Sequence, residues 1–196
     1  MKLVLATQNP KKLKEMNEIL SHLGVEVVSE AELGVRIEVE ETGETFTDNA
    51  RLKATAVMQA TGLPAVADDS GLCVDALNGG PGVYSARFGG EGLDDKGRYT
   101  LLLEMLRGQT DRAAHFHTSI VCAFPNGDEL VCEGECPGTI AFAPMGEAGF
   151  GYDPVFFVPD KAKTFAQLTQ EEKAEISHRG KALREFTAKL ETYLKK

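Results

Sequence analysis

Short apolar segments alternate with helical segments along this chain, and the alternation restricts the folds that it can adopt. Buried strands are predicted where the apolar runs are short, at residues 2–7, 25–28 and 63–67. Helices are predicted at 9–23, which opens with Asn-Pro, and at 45–61, where apolar residues recur at spacings of three and four. Strands interleaved with helices predict an α/β fold with a mixed central sheet flanked by helices.

The second half of the chain adds a hairpin to this pattern. Strands predicted at 113–124 and 129–135 are joined by Pro-Asn-Gly-Asp, a turn signal typical of an antiparallel hairpin. The glycine-rich stretch 78–82 is predicted to lack regular structure. The remaining predicted elements are a helix at 94–107, a strand at 155–158 and a helix at 177–194, which the capping-box pattern Thr169-x-x-Glu172 precedes.

The length of 196 residues fits one domain, because a chain of this size buries roughly 70% of the surface that its unfolded form exposes. No repeat, linker or low-complexity stretch divides the sequence. We therefore predict a single domain over residues 1–196, with two lobes around a cleft.

Cysteine usage and charge exclude several classes of protein. The four cysteines form no Cys-x-x-Cys pair, which disfavours a zinc site or a disulfide framework and is typical of a reducing compartment. No secretory leader follows Met1, and no apolar run approaches the roughly 20 residues that cross a bilayer. The net charge of -9 argues against a nucleic-acid polymer as partner. We expect a cytoplasmic protein without a membrane partner, in which local lysines can still hold a small anion.

Two adjacent acids, Asp68 and Asp69, follow the apolar run 63–67 and precede Ser70. Carboxylates at the end of a buried strand are costly unless a cation offsets them, and a metal ion is the simplest such partner. Neighbouring side chains of a strand point to opposite faces, so the two acids need not share one role. The alternative is an ordinary strand-end turn of Asp, Ser and Gly.

Basic residues at the start of the first predicted helix indicate an anion site. Helix N-termini favour acidic side chains, yet Lys11, Lys12 and Lys14 occupy this one. A phosphate bound by the free N–H groups and a lysine would account for them. The alternative is a solvated basic helix start. Asn49 and Lys53, four residues apart, would share a helical face from which both reach a phosphate oxygen, although exposed helices carry such pairs routinely.

Two later motifs are candidates for recognising a flat ring. In the loop 149–154, small residues allow close approach of the backbone, and Phe150 or Tyr152 can stack on a base; the alternative is a loop anchored on the core by its aromatic residues. His178 and Arg179 follow a capping serine, and their donors suit a carbonyl oxygen.

Together these residues form seven motifs that closely resemble those of the inosine triphosphate pyrophosphatase family, in order along nearly the whole chain. The motifs are Thr7-x-Asn9-x-x-Lys12, Glu40-Glu41-Thr42-Gly43, Asn49-Ala50-x-x-Lys53-Ala54, Ala67-Asp68-Asp69-Ser70-Gly71-Leu72, Pro81-Gly82-x-Tyr84-Ser85-Ala86-Arg87, Gly149-Phe150-Gly151-Tyr152-Asp153-Pro154 and Ser177-His178-Arg179-Gly180. The resemblance implies hydrolysis of deaminated purine nucleoside triphosphates (ITP, dITP, XTP) to the monophosphate and pyrophosphate. Such enzymes clear these nucleotides from the pool before they enter DNA and RNA.

The resemblance also implies roles for individual residues, a nucleotide-binding cleft, Mg2+ as cofactor and a homodimer. Glu40 and Asp69 would hold the metal, and Asp69 is the implied proton acceptor for the attacking water. Because a metal-bound aspartate is a poor base, Asp68 or Glu41 could share that task. The residues implied to bind substrate are Thr7, Gln8, Asn9, Pro10, Lys11, Lys12, Asn49, Lys53, Ser70, Phe150, Gly151, Tyr152, Asp153, Lys173, His178 and Arg179.

Hydrogen-bond polarity would select the base. Donors from His178 and Arg179 would match the 6-oxo group of inosine or xanthine and would meet the amino group of adenine unfavourably. Two alternatives remain at this point: a nucleotide-sensing module without turnover, and a pyrophosphatase for modified pyrimidine nucleotides.

Overall fold

The computed structural model describes residues 1–7 and 9–195, without the side chain of Lys11. The predicted substrate contacts of Gln8 and of the Lys11 side chain therefore lie outside the described residues. The helices are α1 (Pro10–Leu20), α2 (Phe46–Thr61), α3 (Asp95–Met105), α4 (Gln170–Ile176) and α5 (His178–Leu194). The strands are β1 (Lys2–Leu5), β2 (Glu26–Ser29), β3 (Ala65–Val74), β4 (Gly80–Pro81), β5 (Ala113–Ala123), β6 (Glu129–Ile140), β7 (Phe156–Val158) and β8 (Lys163–Thr164).

The sheet is mixed, as predicted, and its strand order is β2-β1-β3-β5-β6-β7-β8, with β4 pairing β3. The chain separates into two compact units, as two lobes require. Unit 1 contains Met1–Asp69, Ser119–Glu133 and the residues from Ala182 onward, and unit 2 contains Ser70–Thr118 and Gly134–Lys181. The predicted cleft and the single domain stay predictions. Among the described residues, no helix has the length and apolar character needed to cross a membrane.

Unit 1 is built on parallel strands that are buried on both faces. β1 runs parallel to β2, with Leu3 opposite Val27, and parallel to β3, with Leu5 opposite Val66. Successive residues of β1 enter different cores, because strand side chains alternate between faces. Leu3 and Leu5 pack with α1 and α5, whereas Val4 packs with Val57 of α2. The continuous apolar run of β1 is what a strand covered on both faces requires.

Unit 2 packs helix α3 and an antiparallel part of the sheet around aromatic rings. β6 pairs with β7, and β7 pairs with β8, both antiparallel. The rings of Phe116, Phe156 and Phe165 contact one another, with centroids 4.6–5.6 Å apart. Leu102 and Leu106 bring α3 and the turn after it into the same core.

Local residues define several helix ends, and the predicted capping box is confirmed. Gly24 and Gly62 adopt left-handed conformations directly after helical turns. Thr45 and Asp94 cap α2 and α3 through their side chains. In the capping box, Thr169 accepts from the Glu172 backbone N–H at 3.1 Å, and the Glu172 carboxylate accepts from the Thr169 N–H at 2.9 Å.

Three predicted boundaries are wrong. β3 does not end at the acid pair but continues to Val74, so Asp68 and Asp69 lie inside a strand and not in a strand-end turn. The stretch 78–82 contains strand β4, whose Pro81 pairs with Cys73, because this pairing satisfies backbone groups that a free loop would leave open. β6 extends to Ile140, well beyond residue 135, because β7 pairs with its end.

Candidate active site

Strand β3 directs Asp68 and Asp69 towards different helices. The Asp68 carboxylate accepts a hydrogen bond of 2.7 Å from Nζ of Lys12, in the first turn of α1. Asp69 instead faces α2, where it contacts Asn49 and Lys53 at 3.4 Å each. The alternation of the strand therefore separates the two acids, as the sequence predicts.

Asn49 connects Asp69 to the acidic segment that precedes α2. Its side chain is completely buried; Oδ1 accepts from the Gly43 backbone N–H at 2.8 Å, and Nδ2 donates to Asp69 at 3.4 Å. A side chain at position 43 would collide with Asn49 and Asp48, which explains the glycine of the Glu-Glu-Thr-Gly motif. Both polar atoms of the Asn49 side chain are therefore hydrogen-bonded, one to Gly43 and the other to Asp69.

Lys53 holds two carboxylates. Its Nζ donates to Glu41 at 2.8 Å and to Asp69 at 3.4 Å. Burial raises the pKa of Asp69, and the nearby charge of Glu41 raises it further, while Lys53 and Asn49 act in the opposite direction. Burial alone would lower the pKa of Lys53, but the surrounding acids outweigh it and raise this pKa. Lys53 therefore keeps its proton and its positive charge.

The oxygen donors around Asp69 suit a divalent cation. Mg2+ usually takes one or two protein carboxylates and completes its coordination with phosphate oxygens and water. The carboxylates of Asp69 and Glu41 both pair with Lys53. Glu40 is exposed, and its backbone carbonyl accepts a hydrogen bond from the Thr42 N–H at 3.1 Å. Among the described residues no group of three or more His, Cys, Asp or Glu could form a complete protein cage for a metal. The donor set fits a cation that shares its shell with substrate.

Thr7 and Asn9 form the start of α1. The Asn9 N–H donates to Oγ1 of Thr7 at 3.2 Å, and the Asn9 carbonyl accepts from the N–H groups of Lys12 and Leu13. Thr7 is half-buried, whereas Asn9 and Pro10 are exposed. This geometry starts the helix, from which Lys12 reaches Asp68.

Unit 2 carries a second cluster, around Asp153 and Lys173. Nζ of Lys173 lies 2.5 Å from the Asp153 carboxylate, and the same carboxylate accepts from the Phe150 N–H at 2.9 Å. The ammonium also lies over the rings of Phe150 and Phe165, 5.0 and 5.1 Å from their centroids. Burial raises the pKa of Asp153, against the opposing effect of Lys173. Asp153 is only 3% exposed, whereas the Phe150 ring is presented outward at 77% exposure.

The Ser-His-Arg-Gly motif lies at the junction between α4 and α5. The His178 ring stacks on Phe116, with centroids 4.7 Å apart, and Oγ of Ser177 accepts from the Gly180 N–H at 3.0 Å. A Cβ at position 180 would collide with the carbonyl of Ala174, so this turn requires glycine. Arg179 is half-buried.

Tyr152 and Ser70, two predicted substrate contacts, belong to neither of these clusters. Tyr152 is 5% exposed and its hydroxyl donates to the Ser85 carbonyl at 2.8 Å, so it anchors the loop. Ser70 is exposed. Ser85 also accepts from the Leu72 N–H at 2.9 Å, which gives the Pro81–Arg87 motif a structural role.

The predicted site residues therefore fall into two sets. Unit 1 brings together Lys12 with Asp68, and Asn49 and Lys53 with Asp69; unit 2 brings together Phe150, Asp153 and Lys173. Sequence reasoning missed one contact of the loop, the hydrogen bond from the Gly151 N–H to Asp95. No spacing rule links residues 56 positions apart.

Comparisons with known proteins cover nearly the whole chain. Residues 3–189 match the model of the Ham1 family. A dITP/XTP pyrophosphatase of Exiguobacterium sp. is 49% identical over 195 residues, covering 100% of both chains. The solved structure of the Staphylococcus aureus Ham1 protein has a TM-score of 0.94 at 42% identity, covering 98% of this chain and 100% of that one. A nucleoside-triphosphatase / dITP/XTP pyrophosphatase from Mycobacterium abscessus has a TM-score of 0.83 at 47% identity, covering 95% and 98%.

Proposed function

Because this chain belongs to the Ham1 family, we propose that it hydrolyses deaminated purine nucleoside triphosphates such as dITP, ITP and XTP, with Mg2+ as cofactor. The products are the nucleoside monophosphate and pyrophosphate. The motif resemblance is confirmed by the family match and by relatives named dITP/XTP pyrophosphatase. The chain is accordingly a nucleoside triphosphate pyrophosphatase, and not a sensing module that only binds nucleotide.

The cluster of Asp69, Lys53 and Asn49 is the observation that carries this proposal. Catalysis of phosphoanhydride hydrolysis depends mainly on positioning and on charge stabilisation. Here the half-buried carboxylate of Asp69 lies 3.4 Å from both an ammonium, that of Lys53, and an amide donor, that of Asn49. Lys12 and Lys53 now pair with carboxylates, and both can shift to phosphate oxygens when a triphosphate brings its own negative charge.

Asp69 acts on the attacking water. Its raised pKa makes the carboxylate a stronger base than an exposed aspartate, and Asn49 holds its orientation. Asp69 and Glu40 would hold Mg2+, and Glu41 adds a carboxylate beside Asp69. When bound, the metal offsets charge on the phosphates and lowers the pKa of a coordinated water. Asp68 pairs with Lys12 and fixes that lysine.

Unit 2 supplies recognition of the base. Phe150 offers an exposed ring for stacking, while His178 and Arg179 donate to the 6-oxo group that hypoxanthine and xanthine carry. Adenine presents an amino donor there, and a site left with opposed donors discriminates by about 10⁴ or more. We further propose a cytoplasmic homodimer, which keeps deaminated nucleotides out of DNA and RNA; sedimentation showing only monomer would remove the dimer.

One assay tests the proposed reaction. The purified protein is incubated with Mg2+ and separately with ITP, XTP, dITP, GTP, ATP and UTP, and pyrophosphate is distinguished from orthophosphate. We expect pyrophosphate from the first three, and no activity after chelation of the metal. Orthophosphate as the direct product, equal turnover of ATP and ITP, or turnover of UTP alone would contradict the proposal.

A further inference from the structure

The loop that presents Phe150 contains no helix or strand, yet carboxylates hold two of its consecutive N–H groups. The Phe150 N–H donates to Asp153 at 2.9 Å, within the loop itself. The next N–H, that of Gly151, donates at 2.7 Å to Asp95, which lies 56 residues earlier. Asp95 is therefore an external support for the loop.

Asp95 is not needed to cap its own helix. The preceding residue, Asp94, is the cap of α3 and accepts from the Gly97 N–H at 2.7 Å. Asp95 occupies the first helical position, and one of its oxygens lies 3.6 Å from a guanidinium nitrogen of Arg98. Its other oxygen is directed to Gly151. Asp94 therefore caps the helix, and its neighbour Asp95 holds the loop.

The support matters because two glycines make this backbone costly to order. Gly149 and Gly151 have φ values of +81° and +59°, in the region that glycine enters most readily. Glycine loses more conformational freedom than any other residue when it is fixed in one state. Phe150, between them, is 77% exposed, so core packing does little to hold its ring. Tyr152 anchors the end of the loop, and the hydrogen bonds to Asp95 and Asp153 add order at Phe150 and Gly151.

We propose that Asp95 is a positioning residue of the base site, which holds the Gly149–Asp153 loop so that the Phe150 ring is in place before nucleotide binds. The stacked ligand is a purine base only if the proposed function holds, and in that respect the inference rests on it. The ordering of the loop by Asp95 does not depend on the reaction. A preordered ring lowers the entropy cost of binding, so its loss should weaken binding without changing the chemical step.

Three variants isolate the contact. Asp95→Ala removes the acceptor; Asp95→Asn keeps an oxygen that can accept from the Gly151 N–H; Asp94→Ala is the matched control, which damages the same helix end without touching the loop. Removing a charged hydrogen-bond acceptor is worth about tenfold in an equilibrium. We expect Asp95→Ala to raise KM for dITP about tenfold with kcat within about twofold, and Asp95→Asn to remain near the wild-type KM.

Hydrogen exchange of the amides in 149–153 is the second measurement, made without nucleotide. Faster exchange is expected in Asp95→Ala, while Asp95→Asn and Asp94→Ala retain wild-type protection of this segment. Unchanged exchange in Asp95→Ala, or an equal rise in KM for Asp95→Ala and Asp94→Ala, would overturn the inference. If the wild-type protein turned over no purine nucleotide, the proposed function would fail, and the exchange experiment would still decide the role of Asp95.

Discussion

The clusters of unit 1 and unit 2 are both built from buried or half-buried charges, but they hold those charges differently. In unit 1 most of the charges come from regular elements: Lys12 from α1, Lys53 from α2, and both aspartates from β3, while Glu41 reaches Lys53 from the irregular segment before α2. In unit 2 Asp153 of the loop pairs with Lys173 of α4, and the ammonium lies over the rings of Phe150 and Phe165. In the proposed function, the first arrangement positions reacting groups, and the second presents a ring for stacking.

The difference follows from what each ligand part requires. Reacting groups must be held within fractions of an ångström, which helices and strands achieve better than loops. Stacking between a base and an aromatic ring tolerates small shifts of the ring, so a ring on a loop that is held by hydrogen bonds is sufficient for binding the base. Substitutions in unit 1 should therefore change turnover, and substitutions in unit 2 should change affinity.

The largest expected effect is on Asp69. Asp69→Asn keeps the shape of the side chain but removes the carboxylate that we propose as proton acceptor, so kcat for dITP should fall about a thousandfold. Pyrophosphate release with Mg2+ measures it. Asp75→Asn, an exposed acid of unit 2, is the control and should retain full turnover. Wild-type turnover in Asp69→Asn would show that the catalytic assignment is wrong.

The next effect concerns Phe150. Phe150→Ala should raise KM about tenfold and leave kcat nearly unchanged, because stacking on one base contributes about 1–3 kcal/mol. Phe142→Ala is a matched control, since Phe142 is also in unit 2 and is 82% exposed. Steady-state kinetics with dITP compares them. An equal change in both variants, or a fall in kcat alone, would contradict the division between the two clusters.

A smaller effect tests the helix that carries Asn49 and Lys53. Thr45→Ala removes the side chain that accepts from the Asp48 N–H at 3.1 Å, which should lower the free energy of unfolding by about 1 kcal/mol. Urea denaturation measures the loss. Thr192→Ala, whose hydroxyl bonds a carbonyl inside α5, should lose less. If Thr192→Ala lost as much stability as Thr45→Ala, the capping interpretation would be excluded.

The smallest expected effect is on the pH dependence of the free energy of unfolding. Burial raises the pKa of Asp153 above its ordinary value of 3.8, so between the two values the folded protein keeps a proton that the unfolded chain has released. This group therefore makes the free energy of unfolding fall as pH rises through that window, by at most about 1.4 kcal/mol per pH unit. Asp153→Asn should remove this contribution, as urea denaturation between pH 4 and 7 can measure.

Glu172 provides the opposite control. Its hydrogen bond from the Thr169 backbone lowers its pKa, so its stabilising contribution is present above the unfolded pKa and is lost as pH falls. Glu172→Gln should make the stability curve less steep on the acid side, whereas Asp153→Asn should change the slope in the other direction. The same sign in both variants would contradict the assigned causes.

Local signals are sufficient for much of the fold and for part of the site. Capping residues and terminal glycines depend on a few neighbouring residues, and the alternation of strand side chains is enough to predict that Asp68 and Asp69 face different ways. Family resemblance, and not spacing, identifies Lys173. The continuation of β3 to Val74 and the strand at Gly80 depend on pairing partners that are distant in sequence. The contact of Asp95 with Gly151 has the same origin.

The buried amide of Asn49 has a consequence for chemical ageing of the protein. Deamidation would turn Asn49 into aspartate, and a new negative charge would then face Asp69 where Nδ2 now donates. The replacement retains an oxygen for the Gly43 N–H, but it buries a second carboxylate beside Asp69, so we expect it to destabilise the start of α2 as well. A single hydrolysed amide should therefore weaken both the fold around this position and the proposed chemistry at Asp69, and mass spectrometry of aged samples would identify the modified population.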